Sequence, residues 1–356
     1  VSDDVTIRGR GAAANPRNRF EPLTVLPDAE ARDPDDPGPE TRFLRDATRT
    51  IIARNESPDI GFDASVNPYR GCEHGCIYCY ARPTHEYLGF SAGLDFETRI
   101  LVKLDAARLL RRELSSAHWQ PQVLVFSGVT DCYQPAERRL RITRACLEVL
   151  AEFRNPVGIV TKNHLVTRDS DLLAELAAVQ AAVVNVSITT LDPKLQRVME
   201  PRTSIPAKRL AAVEALSRAG IPVRVLVAPV IPGLTDHELP AILKAAAAAG
   251  ARSAGFVMLR LPFAVKDLFS DWLERHFPER QNKVLNRIRE MRGGKLNDPN
   301  FGSRMRGEGE IADQIGALFQ AAKRKAGFPD DVLPLSTAAF RRPRRAGQLG
   351  LFEEAS

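Results

Sequence analysis

The chain lacks the features that would place it in a membrane or on an export route. None of its apolar runs approaches the ~20 residues of a membrane-spanning helix. The opening stretch, VSDDVTIRGRGAAANPRN, has no apolar core of the kind a secretory signal needs, so the chain is expected to be cytoplasmic. Cysteine is scarce, with five in 356 residues, which excludes a disulfide-stapled scaffold. Lysine is scarce too: ten of the fifty basic residues. Beside so much alanine, that arginine bias fits genomic base composition, so the arginine count alone is not functional evidence. Glycine (23) and proline (25) are too few for a collagen-like or mostly low-complexity chain.

What is present is an ordinary globular composition, 44% apolar and 26% charged. The length allows two or three domains, or one large α/β barrel with additions, and it can bury a core without staples. Fifty basic against 44 acidic residues leaves +6, with pI near 9.2. That balance suits a nucleic-acid partner without requiring one.

Residues 1–59 are rich in Pro, Asp and Arg, with no sustained period, and read as an extension, largely loop or disordered in isolation, whose last part, RFLRDATRTIIARNESP, is expected to order against the core. From residue 60 a βα rhythm begins. Its β-rich runs are DASVN (63–67), QVLVFSG (122–128), VGIVT (157–161), AVVNVSITT (182–190), PVRVLVAPV (222–230) and SAGFVML (253–259). Helical patterns alternate with them, beginning with DFETRILVKLDAARLLRREL. Asp169, Ser170 and Thr235 are candidate N-caps, and Gly220 and Gly250 candidate C′ glycines. Six βα units imply a parallel sheet with right-handed crossovers, an α/β partial (β/α)6 TIM-like barrel over 60–260. Helices follow over 261–327, and 328–356 reads as a mobile tail with a basic RRPRR at 341–345.

Three of the five cysteines fall within eight residues, in NPYRGCEHGCIYCYAR. Cys72-x-x-x-Cys76-x-x-Cys79 puts three thiols on one loop, and Gly71 and Gly75 let its backbone bend tightly. Three thiolates can hold three irons of a cubane, leaving a fourth iron open to a substrate or cofactor, unlike a closed electron-transfer cluster. A zinc site using His74 or His85 and a redox Cys76/Cys79 pair are the competing readings. In a parallel barrel the loops after the strands carry function. Here those loops hold the three cysteines, Thr130-Asp131-Cys132, Thr161-Lys162-Asn163, Ser187–Thr190, Pro229–Gly233 and Leu259-Arg260.

The CxxxCxxC motif, with aromatic Tyr78 before the last cysteine and placed after the first strand of a six-unit barrel, resembles the radical S-adenosylmethionine (SAM) superfamily. NPYRGCEHGCIYCYAR, the TDCYQPAE run at 130–137 and TKN at 161–163 are similar to its spore photoproduct lyase-like branch, over about residues 55–310. The resemblance implies a [4Fe-4S] cluster on Cys72, Cys76 and Cys79, with SAM chelating the unique iron. Reductive cleavage of SAM would give a 5′-deoxyadenosyl radical that abstracts hydrogen from substrate. An external electron donor such as flavodoxin or ferredoxin is implied, and damaged DNA or another nucleic acid is the substrate it suggests. The alternatives are modification of a protein or metabolite, and a non-enzymatic cluster- or zinc-bearing nucleic-acid-binding protein. The chain is expected to act as a monomer.

The same resemblance assigns candidate contacts. Thr130 and Asp131 replace the superfamily's usual Gly-Gly-Glu and would meet the SAM ammonium, which suits hydroxyl and carboxylate acceptors. An Asx-type turn is the other reading of Asp131. Lys162 would reach the SAM carboxylate as a point charge. Ser187, with Thr189 and Thr190, would meet ribose hydroxyls, and Arg202 a carboxylate or phosphate. Ile231, in PVIPGL, would pack on adenine, and Tyr78 would present its backbone there. Cys132 is the candidate hydrogen donor, although the lyase's donor position is Val129 here, and an inert buried thiol is the other reading. Cys146 reads as core.

Overall fold

The β-branched runs of the sequence become the strands of one sheet, as their packing on a doubly covered surface requires. The structure, a computed structural model, describes residues 7–21, 39–329 and 334–343. Its strands are β1 (Arg42–Arg45), β2 (Ile52–Arg54), β3 (Ala64–Val66), β4 (Tyr69–Arg70) and β5 (Arg99–Val102). They continue with β6 (Leu124–Phe126), β7 (Val157–Thr161), β8 (Ala182–Ser187), β9 (Val223–Val230) and β10 (Ser253–Met258). The main sheet runs β10-β9-β8-β7-β6-β3-β2. Every neighbour from β3 to β10 is parallel, and β2 lies antiparallel on β3 at the edge. All six sequence-predicted strands are there. The order is sequential and does not close, giving the expected partial barrel. Val66, Phe126, Ile159, Val184, Val225 and Val227 fill its core and are fully buried.

Helices cover the sheet. Ala106–Ser115 buries Leu109, Leu110 and Leu114, and packs on Ile142–Phe153. The predicted first helix is corrected: DFETRILVKLDAARLLRREL contains a short helix (Leu94–Thr98), then strand β5, then the helix from Ala106. β5 pairs parallel with β1 and antiparallel with β4, forming a small second sheet. Flanking helix formers hide this four-residue strand from periodicity. The extension thus supplies β1 and β2.

Gly220 and Gly250 end their helices in left-handed conformation (φ 77° and 92°), as expected. Neither Asp169 nor Thr235 caps with its side chain. The Asp169 carboxylate instead takes Arg144, Arg168 and Tyr133, and the Thr235 hydroxyl accepts from the Ile231 amide.

The helices Val265–His276 and Pro278–Glu290 follow the barrel. Trp272, Phe269 and Leu273 share one buried apolar cluster with Cys76, Ile77, Tyr78, Met199 and Ile231. The C-terminal helices therefore pack against the cysteine loop. Within the stretch read as a mobile tail, residues 334–343 lie against the barrel: Arg341 donates to the Glu152 carbonyl and Arg342 to those of Ser116 and Trp119. The remainder of RRPRR, residues 344–345, lies outside the described residues. Among the described residues, no helix is long and apolar enough to cross a membrane.

Candidate active site

The cysteine loop leaves β4, which holds its start: the Cys72 amide donates to the Phe96 carbonyl at 2.9 Å, beside β5. Gly71 and Gly75 have φ of 81° and 66°. A β-carbon on Gly71 would stand 2.9 Å from His85 Cε1, and one on Gly75 2.6 Å from Glu97 Oε2, so side chains are excluded at both turns.

The loop is pinned by a residue that motif reading missed. Arg82 is fully buried. Its guanidinium donates to the carbonyls of Gly75 (3.2 Å), Cys76 (3.0 Å), Ala92 (3.2 Å) and Gly93 (2.9 Å), and pairs with Glu97 at 2.5 Å. Glu97 also accepts the amides of Gly11 (3.0 Å) and Ala12 (2.9 Å), and Arg10 donates to its backbone carbonyl. The N-terminal segment is thereby strapped over the cysteines.

Cys72 and Cys76 are buried and Cys79 is half-buried. All five cysteines are free thiols. Burial pushes each of the three loop thiols up. Asp131 and the other two thiols raise Cys72 further, which puts the three within each other's field. Glu200 raises Cys76 while Lys162 lowers it, and Arg82 and Lys162 lower Cys79. Among the described residues, no three Cys, His, Asp or Glu side chains converge on a point that would hold a single metal ion.

The loops after β6, β7, β8 and β9 meet this loop. Lys162, at the end of β7, extends its Nζ to the Ala228 carbonyl (3.3 Å), 5.8 Å from the Tyr78 ring centre. The Asp131 carboxylate accepts from Thr161 Oγ1 (2.8 Å), the Lys162 amide (2.8 Å) and the Tyr133 amide (2.8 Å), and faces His74 Nδ1 at 3.3 Å. Burial opposes its charge, but His74 and these donors hold its carboxyl below the usual range. Thr130 donates to the Tyr69 carbonyl at 2.9 Å. Asp131 therefore ties the loops after β6 and β7 to the cysteine loop, with the turn to Tyr133 forming part of that tie.

Tyr78 is buried, and its hydroxyl donates to Glu200, which also takes Thr189 and pairs with buried Arg209. Burial would raise the Glu200 carboxyl, yet Arg209, Lys162 and Tyr78 pull it down to about 2. Within MEPRTS, Glu200 is the residue that reaches the site centre. Arg202 instead pairs with Glu73 at 3.1 Å on the outer side of the loop. Ser187 is buried at the end of β8, its carbonyl accepting from Arg209. Ile231 is buried in the same apolar cluster as Cys76 and Tyr78.

Cys132 stands apart from this group. It is fully buried in the main barrel core, with burial pushing its thiol up. Cys146 is core as well. His74 uses both ring nitrogens, on Asp131 and on the Asn163 side-chain amide (3.2 Å), and His85 Nε2 meets the Arg99 carbonyl at 2.8 Å. Tyr80 and Arg260, which carried no sequence expectation as a pair, stack at 5.4 Å beside Cys79.

Comparison with known proteins bears on this geometry. The model of the Radical SAM superfamily matches residues 66–246. Uncharacterised proteins of Mycobacterium bovis and Mycobacterium tuberculosis are 39% identical over 260 residues, covering 71% of this chain and 75% of theirs. A mutant of spore photoproduct lyase superposes with TM-score 0.57 at 18% identity, covering 80% of this chain and 79% of that one. Another, with bound AdoMet and dinucleoside spore photoproduct, gives 0.55 at 16% identity over the same shares. These two establish likeness of fold.

Proposed function

Because the chain belongs to the radical SAM superfamily, and is thereby an enzyme of a family that uses SAM and an iron–sulfur cluster, we propose that Cys72, Cys76 and Cys79 hold a [4Fe-4S] cluster whose open iron takes SAM. The observation that carries this is the gathering of the three thiols on one buried loop, with Lys162 reaching the same place from β7. Three thiols on one loop, with no second cysteine pair in the chain, suit the irons of a cubane better than a structural zinc site, which usually joins two such pairs. His74, with both ring nitrogens engaged on Asp131 and Asn163, weakens the Cys₃His alternative that would use it.

When bound, such a cluster supplies the electron that cleaves SAM and so generates the hydrogen-abstracting radical. The residues of this chain do the rest. Arg82 and Lys162 favour the thiolate form of Cys79 against burial. Lys162 is the cation within reach of a SAM carboxylate. Ile231, with Tyr78 held by Glu200, offers an apolar wall for the adenine. Thr130 keeps a free lone pair after donating to Tyr69, and with Asp131 it lies on the side assigned to the ammonium. Cys132 fits an inert core thiol better than a hydrogen donor, given its burial away from the loop.

For substrate we propose nucleic acid, supported by the basic balance of the chain and by the likeness in fold to a lyase whose bound ligand is a dinucleoside photoproduct. The electron would come from an external carrier such as flavodoxin or ferredoxin. The test is anaerobic reconstitution, which should bind about four irons and four sulfides, followed by measurement of 5′-deoxyadenosine with intact DNA, damaged DNA, RNA and no addition. Cys72→Ala, Cys76→Ala or Cys79→Ala should each lose the cluster. Stoichiometric zinc without iron in protein never exposed to air would defeat the cluster assignment. Equal rates in all four assays would defeat the nucleic-acid substrate and favour a protein or metabolite.

A further inference from the structure

Among the described residues, the five aromatic rings most open to solvent are Tyr87 (72%), Phe301 (60%), Phe263 (56%), Phe20 (53%) and Tyr80 (47%). They are not scattered. Phe20 and Tyr87 stack at 4.8 Å with planes 29° apart. The Arg19 guanidinium lies 3.7 Å from the Phe263 ring centre and 5.0 Å from that of Phe20. Arg19 is held there by Glu86, buried beside Tyr87, at 2.8 Å. Phe263 belongs to the loop leaving β10, and the same loop carries Arg260, which stands over Tyr80. Arg304 lies 4.4 Å from the Phe301 ring and within the electrostatic field of Arg260. The rings therefore form an arc along the rim where β10 and the cysteine loop end, with arginines set between them.

Folding does not account for this arc. An exposed phenylalanine gains little from burial, and Phe263 also adopts φ 51°, a left-handed conformation that bulky side chains rarely take. Strain held at an exposed ring points to a role outside the fold. The rings are interleaved with guanidinium groups, so the surface is not a plain apolar patch awaiting a protein partner. Aromatic faces accept bases of any sequence by stacking, and arginines between them add cation–π contact and phosphate pairing.

We propose that Phe20, Tyr87 and Phe263, with Arg19 and Arg260, form a stacking platform for unpaired nucleic-acid bases at the mouth of the barrel. This rests on the nucleic-acid reading given above and specifies it: the strand is single or locally opened, because paired bases keep their faces stacked inside the duplex.

The test uses the full, cluster-reconstituted chain under anaerobic conditions and a dye-labelled 15-mer of thymidine, single-stranded or annealed to its complement, read by fluorescence anisotropy. The single strand should bind more tightly than the duplex. Phe20→Ala, Tyr87→Ala and Phe263→Gly should each weaken single-strand binding roughly fivefold to a hundredfold without changing its salt dependence, since no phosphate contact is lost. Phe20→Trp should retain binding. Phe263→Gly relieves the left-handed strain, so its melting temperature should stay level or rise while binding falls. Unchanged affinity in all three variants, with the wild type binding, would overturn the platform and leave the nucleic-acid reading standing. No oligonucleotide binding by a wild-type chain that still cleaves SAM would overturn both. Ring-dependent dimerisation in sedimentation without oligonucleotide binding would reassign the face to a second copy.

Discussion

Replacing Arg82 with methionine isolates what holds the cysteine loop. Methionine fills much of the same volume but removes the charge and every donor. Arg82 spans two carbonyls of the cysteine loop, those of Ala92 and Gly93, and Glu97, with no exposed surface. Removing one partner of a buried pair leaves the other charge uncompensated, at a cost of about 3–5 kcal/mol. Glu97 keeps the Gly11 and Ala12 amides, which argues for the lower part of that range. The melting temperature of the metal-free protein should fall by on the order of 10 °C, given roughly 2–4 °C per kcal/mol for large domains. Reconstituted iron should fall with it, because the Gly75 and Cys76 carbonyls lose their anchor. The exposed pair Arg111–Glu152 serves as comparison, and Arg111→Met should cost at most about 1 kcal/mol. A double variant with Glu97→Gln should recover part of the loss, giving a coupling of roughly 1–3 kcal/mol. Additivity of the two substitutions within about 0.5 kcal/mol, with full iron content in Arg82→Met, would refute this account of the loop.

Lys162→Ala should keep the cluster and weaken SAM binding tenfold to a hundredfold, the effect of losing one charge-assisted hydrogen bond of roughly 1.5–3 kcal/mol; equilibrium binding to reconstituted protein checks it. Asp131→Ala should weaken SAM binding and also lower thermal stability in the absence of SAM, because Thr161, Lys162 and Tyr133 lose their acceptor; unchanged stability would mean the ties between loops do not matter. His85 is buried with Nδ1 unpartnered, and burial lowers its pKa from 6.5 to about 4. The unfolded chain therefore binds this proton first, and His85 should remove roughly 3 kcal/mol of stability as pH falls from 6.5 to 4. His85→Leu should be less stable at pH 7 for want of the bond to Arg99, yet lose less over that interval in denaturant titrations. An equal loss in both proteins would exclude His85 as a source of acid sensitivity.

The six parallel strands were legible because each falls in a short β-rich run that alternates with helical patterns. What escaped was short or disguised. β4 has two residues and β5 sits between two helical patterns; the stretch holding β1 and β2 is expected to be ordered, but their strand form is hidden because they carry arginine in place of an apolar alternation. The cysteines were legible because spacing alone marks them. Their support was not. Arg82, Glu97, Glu200 and Arg209 are residue types expected at the surface, and nothing local says that they are buried. Arg202 attracts attention in MEPRTS as the free-looking cation, whereas Glu200 two residues earlier holds Tyr78, Thr189 and Arg209. The pairing of Glu200 with Arg209 depends on the chain turning back after β8, which periodicity does not encode.

The placement of these buried charges carries its own argument. Arg82–Glu97, Arg209–Glu200, Arg202–Glu73 and His74–Asp131 all border the cysteine loop or the loops that meet it. Buried ion pairs are poor sources of stability, since desolvation offsets most of their attraction and apolar replacements often fold as well or better. A chain under pressure only to fold would fill these positions with leucine and valine, as it does within the strands. What such pairs supply is direction. A guanidinium fork fixes several carbonyls at once, and a carboxylate accepting three donors leaves a loop one way to lie. Three thiols on an eight-residue turn (Cys72 to Cys79) that bends at Gly71 and Gly75 need that constraint, because the group proposed to be shared among them tolerates little drift in any one. On this reasoning these pairs are the supporting shell of the proposed site.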